Sequence, residues 1–251
     1  MSAAGRLLLV PAPLDFGCDE QVPIESVMPA GTMAQAADLR HWLVENAKSA
    51  RACLKRIAEH HPLSAPLQAQ SIVELPRELH KKGDDGTGFD ARALLRPALE
   101  GHDLGLMSEA GMPAVADPGA SVVRAAHALG IEVLPLVGPS SLLLALVASG
   151  LNGQNFAFVG YLPQESAARV QRIRELETLA LRTGQSQLFI ETPYRNAALL
   201  GALLQALSPG TRLSVSSGLT LPAARTRSDT VAGWRERPQA VGGPAVFAIG
   251  R

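Results

Sequence analysis

The sequence predicts an α/β protein of two α/β domains, with a mostly parallel sheet in the first and a mixed sheet in the second. Three observations carry this. The 251 residues leave room for one or two domains at ~150 residues each. Short apolar runs of strand length alternate with stretches of helical periodicity along most of the chain. The rhythm changes near Val137–Ser149, where one strand–helix–strand series ends and another begins, so the boundary is placed between residues 138 and 139.

Taken in order, Arg6–Val10 is an apolar run closed by Pro11 and Pro13 and reads as a buried first strand. His41–Asn46 has a strand-like centre, and Ala47–His60 follows as a helix with Ala50, Leu54 and Ile57 at helical spacing. Ser71–Leu75 is a further short apolar run, and Arg77–Asp90 is polar and glycine-rich, the composition of a mobile loop. Phe89–Gly101 has a helical pattern with Gly101 as its stop. Asp103–Met107, Gly119–Leu129 and Ile131–Val137 read as strand, helix and strand, with Gly130 capping the helix. The second half opens with helix Ser140–Ser149, turn Gly150–Gly153 and strand Phe156–Val159. Helix Gln164–Arg182, strand Gln187–Glu191, helix Tyr194–Leu207 and strand Arg212–Ser216 come next, and a strand pair near Asp229–Trp234 and Ala245–Ile249 closes the chain.

Composition bounds the function. Hydrophobic residues at 47% and charged ones at 18% exclude disorder, and aromatics at 4% leave the core to Leu, Ala, Val and Ile. Lys+Arg and Asp+Glu are both 23, so nucleic-acid binding would rest on a local patch rather than on the field of the whole surface. Cys18 and Cys53 have neither metal-ligand nor redox spacing and fit reduced thiols. Leu7–Val10 is too short for a signal-peptide core, and the longest apolar run, Leu142–Ala148, is far short of a membrane span. A cytoplasmic protein without membrane attachment is expected. No metal is expected either, because His60 and His61 are adjacent and cannot face one ion as an i, i+4 pair would.

Two turns carry the candidate chemistry. Ser108–Gly119 is a long turn with two glycines and two prolines between a strand and a helix. Ligands bind at the C-terminal ends of strands in open α/β sheets; glycine lets backbone approach them and proline keeps the free N–H and C=O groups aimed. Gly138-Pro-Ser-Ser141 offers a helix N-terminus and two hydroxyls one strand later, although serine is also an ordinary cap. No G-x-G-x-x-G follows the first strand, which argues against a dinucleotide site, and Gly83–Gly88 lacks the strand context of a phosphate cradle. Glu45 and Asn46 end a strand at the same sheet edge as the turns. Glu191-Thr-Pro-Tyr-Arg195 ends another, where Tyr194 and Arg195 could hold a planar ligand or Arg195 could form an ion pair. Lys48, Arg51, Lys55 and Arg56 surround one helix, as a solvated face or as phosphate contacts.

With Ser108-Glu-Ala-Gly-Met-Pro113, Asp117-Pro-Gly119, Pro135-Leu-Val-Gly-Pro-Ser-Ser141, Gly160-Tyr-Leu-Pro163 and Glu191-Thr-Pro-Tyr-Arg195 in this order, the chain resembles the tetrapyrrole methylase superfamily, the class III methyltransferases. Within it, the chain resembles the branch of small-subunit ribosomal RNA cytidine 2′-O-methyltransferases. The resemblance implies a homodimer that binds S-adenosyl-L-methionine in the cleft between its two domains and methylates ribosomal RNA. It implies cofactor contacts at Pro11, at Ser108, Gly111, Met112, Val115 and Ala116, at Ser140 and Ser141, and at Ile190, Leu219 and Thr220. Glu45 is the candidate catalytic residue for placing or deprotonating the acceptor; Lys48, Arg51, Glu191 and Arg195 are the candidate substrate contacts. Met112 stands where many members of the family carry Asp, and Glu45-Asn-Ala-Lys48 stands where the RNA enzymes carry Glu-Asp-Thr-Arg. C-methylation of a tetrapyrrole or other small molecule, and a regulatory module that binds the cofactor without turnover, are the alternatives.

Overall fold

In a computed structural model, residues 4–76, 78–79, 84 and 89–251 are described. The chain forms two compact units, Met1–Pro139 and Ser140–Arg251.

The first unit is a five-stranded sheet with the order β3-β2-β4-β1-β5, every pairing parallel. Its strands are β1 (Leu7–Leu9), β2 (His41–Val44), β3 (Ser71–Glu74), β4 (Leu104–Met107) and β5 (Val133–Pro135). Its helices are α1 (Ala30–Asp38), α2 (Ala47–Ala58), the short α3 (Arg96–Leu99) and α4 (Ala120–Ala128). Alternation along β1 builds both faces. Leu8 and Val10 pack with Met33, Ala36, Ala50 and Leu54 of α1 and α2, whereas Leu7 packs with Leu95, Val122 and Ala126 on the other side. A sheet covered on both faces needs apolar strands without polar alternation, which is why β4 reads Leu-Gly-Leu-Met and is buried throughout.

The second unit is a mixed five-stranded sheet, β6-β7-β10-β8-β9, in which only β6 and β7 run parallel. Its strands are β6 (Phe156–Tyr161), β7 (Ser186–Glu191), β8 (Arg212–Ser217), β9 (Arg225–Thr230) and β10 (Ala245–Gly250). Helix α5 (Ser141–Ser149) lies on one face, where Leu142, Ala145 and Leu146 meet Leu188, Val246 and Ala248. Helices α6 (Ser166–Thr183), α7 (Asn196–Ala206) and α8 (Val231–Glu236) cover the other, around the stacked rings of Phe189 and Phe247 and the buried Trp234.

Several expectations change. Helix α1 was not read from the sequence, because Pro23 and Pro29 mark its approach as irregular; Pro29 is instead its N-cap. The helix expected over Phe89–Gly101 is a 3₁₀ turn, Arg92–Leu95, followed by the single turn of α3. The closing strand pair is corrected as well. Asp229–Trp234 is not a strand: β9 ends at Thr230, whose hydroxyl accepts the Gly233 N–H and starts α8. Strand β10 pairs with β7 and β8, not with β9, a long-range choice that local pattern cannot show. The loop expected over Arg77–Asp90 falls mostly outside the described residues.

Gly105 is the tightest point of the first sheet. A Cβ there would come within 2.5 Å of the Trp42 ring on β2, and Trp42 is held by its Nε1–H donating to Gln70 Oε1 at 3.0 Å. The ring has no room to withdraw. Gly105→Ala is expected to lose about 1–3 kcal/mol of stability through overpacking, measured as the urea midpoint at unchanged m-value. Gly31→Ala, on the open surface of α1, serves as the comparison.

Candidate active site

The strand order of the first unit marks one place. From β1 the chain crosses by α1 to β2, and from β4 by α4 to β5, in opposite directions along the sheet. Right-handed crossovers then put α1 and α4 on opposite faces, as their separate cores show. The loops leaving neighbouring strands β1 and β4 therefore part company, which is the crevice where open α/β sheets hold ligands.

Those two loops are tied together there. Ala12 N–H donates to Gly111 C=O and Gly111 N–H to Ala12 C=O, both at 2.9 Å. Gly138 packs its backbone onto Pro11 so closely that a Cβ would lie 2.3 Å from the proline ring, so the turn after β5 joins the same edge. Between Gly111 and Gly119 the backbone is unusual: Gly111, Ala114, Ala116 and Gly119 all have positive φ, at 75°, 64°, 67° and 141°. For the two alanines this costs of order 1–3 kcal/mol each, a strain typical of ligand-binding loops. Met112 is half-buried, and Val115 and Ala116 are exposed.

Three carboxylates meet at this edge. Glu45 follows β2, its N–H bonded to Met107 C=O, and its Oε2 accepts the Glu109 N–H at 3.0 Å. Asp117 is hydrogen-bonded to the buried Ser108. Burial first, and then the charges of Glu45 and Glu109, push the Asp117 carboxyl up to about 7, against the pull of the Ser108 hydrogen bond. Asp117 and Glu109 were missed as site residues. Asp117 stood in the quoted Asp-Pro-Gly block, but nothing local says that Glu45, far away in sequence, raises its pKa.

Asp84 was missed for a similar reason. Its carboxylate accepts Gly119 N–H at 2.7 Å, Ser121 N–H at 2.9 Å and Ser121 Oγ–H at 3.0 Å. It thereby caps α4 from outside the helix and closes that N-terminus to other anions. Only Asp84 of the stretch Gly83–Gly88 is described, so the remainder of the loop expected there lies outside the described residues.

The other expected residues fall in distinct settings. Lys48 and Arg51 are exposed on α2, whereas Arg56 turns inward to a bidentate pair with the buried Asp15 at 2.8 and 3.0 Å and is structural. Ser140 is the N-cap of α5, yet its hydroxyl makes no cap hydrogen bond; Ser141 opens the helix half-buried. In the second unit, Ile190 is the penultimate residue of β7, and Leu219 and Thr220 follow β8. Thr220 also has positive φ, 72°, and its buried Oγ1 has no hydrogen-bond partner among the described residues. Glu191 and Arg195 face each other: their ion pair measures 2.8 Å, and Glu191 Oε1 also accepts the Thr192 N–H. This is the ion-pair reading of that segment.

A family model for tetrapyrrole (corrin/porphyrin) methylases matches residues 30–233. The chain belongs to this family. Among curated proteins it is similar to "Ribosomal RNA small subunit methyltransferase I" of Xylella fastidiosa, 32% identical over 80% of this chain and 63% of that one. It is also similar to the protein of that name from Pseudomonas aeruginosa, 30% identical over 77% of this chain and 58% of that one. The chain thus spans about three fifths of the length of these methylase-family relatives. Two solved structures share the fold: the methyltransferase CobJ, with a TM-score of 0.57, 18% identity and 99% and 95% of the two chains covered; and the uroporphyrin-III C-methyltransferase of Thermus thermophilus complexed with S-adenosylhomocysteine, with a TM-score of 0.54, 19% identity and 98% of each chain covered.

A carboxyl raised in the fold from ~3.9 to about 7 binds more protons folded than unfolded between those values. Ionising it therefore costs stability progressively as pH rises from about 4, and the cost is complete above about 7. Asp117→Asn is expected to melt above the parent at pH 8, with the difference closing towards pH 4. Scanning calorimetry across that range checks this, and a difference independent of pH would show that Asp117 acts by packing alone.

Proposed function

We propose that this chain is an S-adenosylmethionine-dependent methyltransferase that transfers a methyl group to a ribose 2′-hydroxyl of small-subunit ribosomal RNA. Its similarity to two curated ribosomal RNA small-subunit methyltransferases over more than three quarters of its length supports that acceptor. The single structural observation that carries the reading is the strained Gly111–Gly119 turn tied to Ala12 at the crevice between β1 and β4, with the Glu45, Glu109 and Asp117 carboxylates beside it.

The residues fit such a cofactor. Positive φ at Ala114 and Ala116 takes the loop out of helical and strand geometry, the kind of backbone that presents peptide groups to a ligand with many polar atoms. In the second unit, the orphaned Thr220 Oγ1 offers a donor and an acceptor. Met112 lacks the carboxylate common at its position, so backbone groups of Gly111–Ala116, together with Pro11, Ser108, Ser140, Ser141, Ile190 and Leu219, do the holding.

When bound, the cofactor supplies a methyl on a positively charged sulfur, so a ribose oxygen can form the C–O bond as the C–S bond breaks and its electron pair returns to sulfur. The chain's own tasks are alignment and proton removal. Holding the reacting atoms in line contributes of order 7–11 kcal/mol to such a transfer. The hydroxyl proton passes to the carboxylate pair of Glu45 and Asp117. A carboxyl near 7 is a better acceptor at neutral pH than one near 4, because it combines basicity with partial ionisation. Lys48 and Arg51 serve as phosphate contacts, and Glu191 orients Arg195.

On the same reading the protein is a cytoplasmic homodimer. Among the described residues no helix is long and apolar enough to cross a membrane. The exposed Leu143, Leu144 and Val147 of α5 form an apolar face of the kind two copies cover.

Methyl transfer from labelled cofactor to unmodified small subunits, mapped by mass spectrometry, tests the function; no incorporation into RNA would overturn it. The logarithm of kcat/KM is expected to rise through about pH 7 and then level, and Asp117→Asn to lose that rise. Thr220→Val removes an unsatisfied buried hydroxyl, so the protein without cofactor should melt at the same or a higher temperature. Cofactor affinity in calorimetry should nevertheless fall roughly fivefold to tenfold, the worth of one hydrogen bond.

A further inference from the structure

The zero net charge of the chain conceals a division. Residues 140–251 contain 11 arginines, no lysine and six carboxylates, a formal net charge of +5, whereas residues 1–139 carry 12 cations and 17 carboxylates, a net charge of −5. The field of the second unit as a whole attracts a polyanion and that of the first as a whole opposes it, so phosphate contacts at Lys48 and Arg51 are local ones among a majority of acids.

Aromatic residues sharpen the choice of surface. Both tryptophans are 1% exposed, but Tyr161 is 56% and Tyr194 81% exposed, and these are the only two tyrosines in the chain. Both belong to one edge of the second sheet. Tyr161 on β6 is in register with Ile190 on β7, and Tyr194 lies in the 3₁₀ turn that follows β7. The register continues along that edge from Glu191 to Ala245, from Ala245 to Ser217 and from Ser217 to the exposed Arg225. Arg195, fixed by Glu191, holds its guanidinium 5.4 Å from the centre of the Tyr194 ring. The ring is therefore steadied by a cation while most of it faces solvent. A steadied, exposed aromatic beside arginines is the feature by which unpaired nucleobases are held, since every base has a face to stack and the phosphates need cations.

We propose that Tyr161 and Tyr194, with Arg225 on the same edge, form a stacking platform for unpaired bases of a single-stranded segment of the RNA substrate. This rests on the ribosomal RNA reading of the function. It places base contact on the arginine-rich second unit rather than on α2, and stacking makes it tolerant of sequence.

Fluorescence anisotropy with a labelled single-stranded oligoribonucleotide, and with a duplex as control, tests it on the full chain, with circular dichroism melts confirming that each variant folds. Tyr194→Leu and Tyr161→Leu are each expected to weaken single-strand binding roughly tenfold. Tyr194→Phe is expected to stay within about twofold, because the ring is kept. Arg225→Ala should flatten the salt dependence by about 0.7 in logarithmic slope, the value for one single-strand phosphate contact, while the Tyr→Leu variants leave the slope unchanged. Leucine variants that bind like the parent overturn the platform and leave the methyltransferase reading intact. Leucine variants that change only the sedimentation coefficient overturn it too, and would assign the tyrosines to contact between copies. A parent protein that binds and methylates no RNA overturns both the platform and the function.

Discussion

The crossing of two chain paths at neighbouring strands β1 and β4 is the constraint on which the candidate site of the first unit depends. Strand β1 leads to α1 on one face of the sheet and β4 to α4 on the other. The two loops must separate, and the backbone beneath them opens. The reciprocal hydrogen bonds of Ala12 and Gly111 limit that opening, and the contact of Gly138 with Pro11 brings a third strand end to it. Glycine is required at both places, at 111 by its positive φ and at 138 by the proline ring.

Around that opening the fold accepts unfavourable features that the remainder of the first unit stabilises. Two alanines take left-handed conformations, and Asp117 is held in surroundings that oppose its charge. The surrounding structure over-determines both: the Asp84 carboxylate anchors Gly119 and Ser121 at one end of the turn, and Ala12 anchors Gly111 at the other. A loop pinned at both ends and strained between them is pre-organised for a ligand, because little further ordering remains to oppose binding. Thr220 repeats the pattern in the second unit, with a left-handed backbone and an unsatisfied hydroxyl.

Membership of the methylase family leaves the acceptor to be decided by residues specific to this chain. Met112, the altered segment after Glu45 and the irregular stretch before α1 all lie near the first unit's site. Asp15, buried in that stretch, is neutralised by Arg56, so part of the basic character of α2 is spent inside the fold. The unequal division of charge between the two units bears on the same question, since a phosphate backbone responds to local field and not to the net charge of the chain.

The sequence by itself determined the class and most of the elements. Apolar strands flanked by periodic helices survive any tertiary context, because a parallel sheet buried on both faces can be built from little else. The turns Ser108–Gly119 and Gly138–Ser141 were legible for a related reason: glycine and proline mark conformations that other residues avoid. The tertiary structure alone decided what depends on distant partners. Helix α1 hid behind a proline-rich approach whose last proline, Pro29, is its N-cap. The placement of β10 between β7 and β8 follows from long-range pairing, to which local propensity is blind. Arg56 read as one of four cations around a helix and proved to be paired with Asp15, 41 positions away. The charge of Glu45 acting on Asp117 and the cap provided by Asp84 each join residues 35 or more positions apart. Electrostatic interactions of this kind are set by distance in space and by burial, and neither exists until the chain has folded.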